Sequence, residues 1–281
     1  MKDFYRNLFF IFFEIKRLLF KKKFFASIDL TNKCQLNCKH CYFIEKESTK
    51  EEKSDLEWIN FFKILYKNGV RFVLLVGGEP TLRLNLIEKA CQIFPFVDVI
   101  TNGIIKIPEK YNVRIFLSID GEKSLNQIIR GEKILDNILK NYFNDKRVTI
   151  NFTFTKENYK SFDKVVSLAI ENKIKKITCN IFTPNLKQKD YKFLDSKIRK
   201  EIIAELYKQK KLSPNLIRLN KKMIKWFETE DHTDKCYFRE NVYHFDNYFH
   251  EKYCFSELDC KRCGCYSGAS LTTKNPFYKK F

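Results

Sequence analysis

The chain has 281 residues, 44% hydrophobic and 31% charged, which suits one large domain with a small appendage and excludes a disordered or polytopic membrane protein. Ten cysteines with no evident cleavable signal point to metal binding in a cytoplasmic setting rather than to a disulfide framework. The formal charge of +19 admits an anionic partner, but the lysines are scattered, with only short clusters such as Lys21-Lys22-Lys23, which reads as compositional bias and argues against nucleic acid.

Residues 1–24 predict an amphipathic helix. Its longest apolar run, Leu8 to Phe13, is too short to span a bilayer. On a helix, Asp3, Asn7, Glu14, Arg17 and Lys21 share one narrow polar stripe, and most of the remaining circumference is apolar. That pattern suits a helix lying peripherally in a membrane interface, or one packed across the open side or bottom of the following domain.

An alternating, strand-like run from Phe25 to Leu30 leads into Cys34-Gln35-Leu36-Asn37-Cys38-Lys39-His40-Cys41. Three thiolates can hold three irons of a cubane cluster and leave the fourth open to a ligand. The same spacing also matches one face of a helix with structural thiols, or a zinc site with a distant fourth ligand. Glu45 to Lys53 reads as a solvated loop. Ser54 and Glu57 form a capping box that opens a helix ending at Asn68-Gly69.

Helix and strand patterns then alternate. Strands are expected at 72–76, 97–100, 114–119, 147–154 and 175–182, and helices at about 82–93, 124–141 and 159–172. With the first strand this makes six, a parallel α/β arrangement short of a closed eight-stranded barrel. Residues 183–229 predict two connecting helices, about 190–211 and 214–228, the second starting at Pro214. From residue 230 to 281 a cysteine-rich module and tail follow, with Cys236, Cys254, Cys260, Cys263 and Cys265. Cys91 and Cys179 fall within regular elements and read as core residues.

Polar or glycine-rich stretches stand at successive strand ends: the cysteine loop, Gly77-Gly78-Glu79-Pro80, Thr101-Asn102-Gly103, and Ser118 with Asp120. In parallel α/β folds ligand sites form at that edge. Glycines allow close backbone approach, and carbonyls with a carboxylate suit an ammonium group.

These motifs, with Ile129-Arg130-Gly131, occur in the order found in radical S-adenosylmethionine (SAM) enzymes, and over residues 25–182 the chain resembles that superfamily. The resemblance implies a partial (β/α)6 TIM-type barrel. It implies that Cys34, Cys38 and Cys41 ligate a [4Fe–4S] cluster whose open iron binds SAM. Reductive cleavage of SAM would give a 5′-deoxyadenosyl radical that takes hydrogen from a substrate. By position, Gly77, Gly78 and Glu79 would contact the methionyl amine, Ser118 and Asp120 the ribose, Arg130 the carboxylate and Tyr42 the adenine, with Asn102 in the same pocket. Asn126-Gln127 stands where many relatives carry His-Asp.

The later cysteines resemble a shortened SPASM or twitch extension, which implies one auxiliary [4Fe–4S] cluster held from Cys236, Cys254, Cys260, Cys263 and Cys265. Structural zinc and redox thiols are the alternatives. Asn247 would occupy the turn of a cysteine–turn–cysteine hairpin. The expected function is modification of a peptide or small metabolite, with an electron donor such as flavodoxin or ferredoxin. A membrane lipid substrate and a non-catalytic iron–sulfur or zinc protein that binds a partner are the alternatives.

Overall fold

A computed structural model describes residues 2–41, 43, 51–184, 194–229, 231–254 and 259–278. Tyr42, most of the charged run after it and the expected start of the helix at 190 lie outside the described residues.

Six parallel strands lie side by side in chain order: β1 (Phe25–Asp29), β2 (Phe72–Val76), β3 (Phe96–Thr101), β4 (Val113–Ser118), β5 (Val148–Phe154) and β6 (Ile177–Ile181). β1 and β2 are buried along their whole length, as expected of strands covered on both faces. β4 and β5 alternate between one face and the other. β1 and β6 do not pair, so the barrel stays open.

A seventh strand was not expected. β7 (Tyr243–Phe245), from the cysteine-rich module, adds in parallel beside β1, with Ser27 opposite His244. The C-terminal module therefore shares the main sheet.

Helices cover the outside. α2 (Asp55–Lys67) starts at the expected capping box: Ser54 Oγ accepts from the Glu57 N–H, and the Glu57 carboxylate accepts from the Ser54 N–H. Pro80 opens a short 3₁₀ turn that leads into α3 (Leu84–Ile93). The single helix expected at 124–141 is two, α4 (Lys123–Arg130) and α5 (Leu135–Asn141). Gly131 causes the break: its φ of +88° ends α4 in a left-handed cap. α6 (Phe162–Glu171) and α7 (Ser196–Leu212) follow.

Pro214 does not start a helix. Residues 216–218 run along β6 instead, where the Ile177 N–H donates to Leu216 O and the Arg218 N–H donates to Ile177 O. α8 (Lys221–Glu228) begins at Asn220, whose side chain accepts from the Met223 N–H. α9 (Tyr237–Asn241) and α10 (Tyr266–Lys274) complete the chain.

Asn247 does not take the left-handed turn position. Asp246 Oδ1 accepts from the N–H groups of Tyr248 and His250, which moves the positive φ, +72°, to Phe249. The Phe249 ring stacks on Phe61 at 4.3 Å and meets Trp58 edge-on at 4.7 Å, contacts that offset the strain.

α1 (Lys2–Phe20) crosses the N-terminal ends of the strands. Phe10 and Phe13 meet Phe24 and Phe72. Arg6 lies over the rings of Phe72 and Phe96 and pairs with Asp98 at 2.7 Å. Part of the polar stripe faces the protein. Glu14 is fully buried, accepting from Arg17 at 2.7 and 3.0 Å and from the Tyr237 hydroxyl. Arg17 also donates to Asn241 at 2.8 Å. No helix among the described residues is long and apolar enough to cross a membrane.

Candidate active site

The strand-end motifs meet at one edge of the sheet. The Gly78 N–H donates to Thr31 O, and the Glu79 N–H to Lys33 O, both at 2.8 Å, so the end of β2 is stitched to the start of the cysteine loop. This explains the two glycines. Gly77 has φ +113°, and a Cβ there would lie 2.6 Å from Thr31 O; a Cβ on Gly78 would collide with Lys33 O. The close approach in the structure is to the cysteine loop's own backbone.

Glu79 is buried, and both its oxygens are engaged. They accept from the Thr81 N–H and hydroxyl, the Thr101 hydroxyl and the Asn102 N–H, at 2.6–3.0 Å. Burial raises its pKa, and these hydrogen bonds oppose the rise. The carboxylate thereby ties the ends of β2 and β3 together. Asn102 reaches onward, with Nδ2 3.2 Å from Gln35 Oε1 and 4.0 Å from Cys34 Sγ.

On the other side of the loop, Arg130 donates to Asp120 Oδ2 at 2.5 Å and points Nη1 at Cys38 Sγ, 3.9 Å away. Asp120 is fully buried. Burial alone would raise its pKa, but the charge of Arg130, followed by His40, holds it well below the usual carboxylate range. His40 Nε2 lies 3.3 Å from the same oxygen, and the Thr153 N–H donates to Oδ1 at 3.1 Å. The Lys39 N–H bonds Ile129 O at 2.9 Å, fixing the loop to the end of α4. Ser118 ends β4 half-buried, opposite Asn151.

A cavity of about 300 Å³ opens between Cys34–Asn37 and Arg130–Glu132, large enough for a small cofactor. Two buried polar atoms around the loop lack partners, Arg130 Nε and His40 Nδ1. Arg130 Nε is a buried donor open to a ligand oxygen, and His40 Nδ1, on the ring edge away from the Asp120 carboxylate, is open to a second partner. The three cysteines of the loop are half-buried and outside any disulfide. Among the described residues no three His, Cys, Asp or Glu side chains converge on a single metal ion. A cubane places each thiolate on its own iron, which spreads the sulfurs more widely than one ion does. The donor set, the cavity and the unpaired atoms therefore fit a cluster with a bound ligand.

The later cysteines gather beside β6. The Ile181 N–H donates to Gly264 O at 2.9 Å, and the Gly264 N–H donates to the Thr183 hydroxyl at 2.8 Å, which sets Cys263 and Cys265 at the strand end. A Cβ on Gly268 would lie 3.1 Å from Cys236 Sγ. Burial pushes the Cys236 thiol up to about 12 and those of Cys254 and Cys263 well above the thiol range. At Cys254 each of the other four cysteines adds to the shift, so all are within electrostatic reach of it, though among the described residues no three of the five converge on a single metal ion. Arg239 donates to Cys260 Sγ at 3.7 Å. Buried thiols like these stay protonated unless a metal displaces the proton. Cys179 is buried within β6, and Cys91 is half-buried on α3.

Several residues at the site carried no signal of their own in the sequence. His40, Thr81, Asn126 and Asn158 act only through partners: Asn126 Oδ1 accepts from the Asp120 N–H, and Asn158 Nδ2 donates to Asp120 O, each at 3.0 Å. Lys252, from the hairpin after β7, forms a buried ion pair with Asp29 at the end of β1. Only the partial motif around Asn126 could have singled out one of them.

Known proteins resemble this chain in sequence and in fold. A family model described as the Radical SAM superfamily matches residues 28–183, more than half of the chain. The sporulation killing factor maturation protein SkfB of Bacillus subtilis is 32% identical over 118 residues, covering 38% of this chain and 29% of SkfB. A probable GTP 3′,8-cyclase of Sulfurisphaera tokodaii is 27% identical over 160 residues, covering 51% of each chain. The chain thus spans about half or less of these curated relatives. Among solved structures, Streptococcus suis SuiB bound to its precursor peptide SuiA superposes with a TM-score of 0.68 at 18% identity, over 92% of this chain and 66% of SuiB. The anSMEcpe protein with bound AdoMet and a peptide gives 0.65 at 17% identity, over 90% and 80%. The fold match therefore takes in most of the C-terminal extension as well as the barrel.

Proposed function

Since the chain belongs to the radical SAM superfamily, we propose that it is an enzyme that uses a [4Fe–4S] cluster and SAM and modifies a peptide by hydrogen-atom abstraction. One observation carries the site assignment: the loop with Cys34, Cys38 and Cys41 is joined to Gly78-Glu79 on one side and to Arg130–Asp120 on the other, at one sheet edge. When bound, the cluster and SAM supply an electron that breaks a carbon–sulfur bond and a carbon radical that removes hydrogen.

The chain's own residues position and shield. Cys34, Cys38 and Cys41 would hold the cluster. The carbonyls at Gly77 and Gly78 face the methionyl amine in this reading, with Glu79 fixing their strand. Arg130 would donate its unpaired Nε–H to the methionyl carboxylate, with Asp120 holding the guanidinium in place. Ser118 and Asn102, at the ends of β4 and β3 and outside the lining of the cavity beside Arg130, would contact SAM from the strand edge in this reading. Cys236, Cys254, Cys260, Cys263 and Cys265 would supply an auxiliary cluster, with one thiol more than the four such a cluster takes. The donor would be a small acidic electron carrier such as flavodoxin or ferredoxin, which suits a chain of net charge +19.

The peptide reading is supported by the names of SkfB, a maturation protein, and of SuiB, solved with its precursor peptide. A lipid substrate has less support, because α1, which motivated it, lies at the opposite edge of the sheet from the cysteine loop.

The test is reduced, reconstituted enzyme with SAM and a short peptide encoded beside its gene. Peptide-dependent formation of 5′-deoxyadenosine, with deuterium transferred from labelled peptide, is expected. Turnover that ignores every peptide but responds to a small metabolite would reverse the substrate assignment.

A further inference from the structure

α1 turns Glu14 and Arg17 of its polar stripe toward the protein, together with Phe10 and Phe13, and leaves an apolar arc facing outward. Arg6, Phe10, Phe13, Glu14 and Arg17 form the inner face, held by Asp98, Tyr237 and Asn241. The opposite face presents Tyr5, Leu8, Phe12, Ile15 and Leu19, with Phe20 at the end; Leu19 is 70% and Phe20 67% exposed. At 100° per residue these positions span an arc of about 140°. The helix cannot roll to hide it, because that would take Glu14 out of its buried hydrogen bonds and leave the Tyr237 hydroxyl without them. Large contiguous apolar patches mark interaction sites.

The charges around the arc identify the partner. Lys16, Lys21 and Lys22 are exposed at its flank and end, and Lys16 Nζ lies 4.7 Å above the Phe12 ring. Glu14, the acid on α1 whose side chain is described, is fully buried. An aromatic and aliphatic surface rimmed by lysines matches an anionic lipid surface: rings and aliphatic chains enter the headgroup boundary while the ammonium groups reach the phosphates. A second copy of the chain would place the same lysines against one another, a like-charge contact. We propose that the outward face of α1 docks this enzyme on an anionic bilayer.

Docking through this face also sets an orientation. α1 meets Phe72 and Phe96, the first residues of β2 and β3, whereas the cysteine loop follows the end of β1. Strands of five or six residues put roughly 15–20 Å between the two edges. The cysteine-loop edge then faces away from the lipid, so substrate arrives from the aqueous side. The docking does not depend on which substrate is modified.

The test is flotation of the reconstituted full-length protein with vesicles of phosphatidylcholine containing phosphatidylglycerol, and with phosphatidylcholine alone. The wild type is expected to float with the anionic vesicles and to lose binding in high salt. Leu8→Glu/Phe12→Glu/Leu19→Glu is expected to lower the bound fraction by about tenfold or more, with unchanged Tm and unchanged SAM cleavage in solution. Leu56→Glu/Ile64→Glu, on exposed apolar positions of α2, floats like the wild type. Should the triple variant fail to fold, Lys16→Glu/Lys22→Glu gives the second reading and is also expected to weaken binding to anionic vesicles. Equal flotation of wild type and outward-face variants, or none by the wild type, overturns the proposal. So does a wild-type dimer in light scattering that the triple variant converts to monomer. Loss of SAM cleavage with flotation intact overturns the catalytic reading alone.

Discussion

Asp120 and Arg130 form a buried ion pair beside the cysteine loop, and neither is solvated if the other is removed. Asp120→Asn leaves a buried guanidinium without its counter-charge, and we expect a loss of roughly 3 kcal/mol in urea unfolding. Asp120→Ala/Arg130→Met, which removes both charges, is expected to cost less than Asp120→Asn while still abolishing SAM binding. The depressed pKa of Asp120 means that its contribution is present above the ordinary carboxylate range and is lost as pH falls through its folded value. Two histidines act at milder acidity. His232, stacked on Trp226 at 3.6 Å, and His244, with Nε2 2.9 Å from Phe238 O, are buried and held neutral, each pushed down to about 4. Between pH 6.5 and 4 the unfolded chain binds protons that the fold refuses, so stability falls as pH drops through that window. Each site removes roughly 2 kcal/mol by pH 4.5, measurable as a lower urea midpoint than at pH 7. His244→Phe should flatten part of that slope; an unchanged slope contradicts the assignment.

Strand ends and the turns after them place the functional side chains. A Cβ at Gly264 would collide with Ile181 O, so Gly264→Ala must push Cys263 and Cys265 off the end of β6. The expected result is loss of the auxiliary iron, with the cluster of the first loop retained. Gly78→Ala should do the reverse, because its Cβ meets Lys33 O. Iron and sulfide analysis separates the two. The complementary experiment is Cys34→Ala/Cys38→Ala/Cys41→Ala, in which about four residual irons are expected for one auxiliary [4Fe–4S] cluster; zinc without iron contradicts that cluster. At this scale much of the fold was legible in the sequence. β1–β6 and α2 follow from apolar runs, alternation and a capping box, all local signals. β7 was not legible, since three residues carry no period and their pairing with β1 is decided by tertiary contact. Pro214 misled for a similar reason: the chain after it extends the sheet edge at Ile177 instead of coiling. Phe249 took the left-handed position from Asn247 because its ring is held between Phe61 and Trp58.

Across the whole molecule the two edges of the sheet do different work. The C-terminal edge gathers the cysteine loop, Gly77–Glu79, Asn102 and Asp120, which strand-end logic could place together before any coordinates. What it could not place were their partners. The burial of Glu79 among threonines, the reach of His40 to Asp120 and the ion pair of Lys252 with Asp29 all depend on how distant segments pack. The N-terminal edge is closed by α1. Its polar stripe was visible as a pattern, but part of that stripe faces the core, because Glu14 finds Arg17 and Tyr237 there. Removing this inner contact with Glu14→Leu leaves the Tyr237 hydroxyl buried without its acceptor, and we expect about 1–3 kcal/mol of destabilisation in thermal or urea unfolding.

The central claim is that Cys34, Cys38 and Cys41 hold a cluster at which SAM is bound and reduced. The direct measurement is quantitation of 5′-deoxyadenosine from anaerobically reconstituted, reduced protein incubated with SAM. Product is predicted from the wild type and from Cys91→Ser, and none from Cys38→Ala. A wild type fully loaded with iron and sulfide and demonstrably reduced that leaves SAM intact would contradict the account.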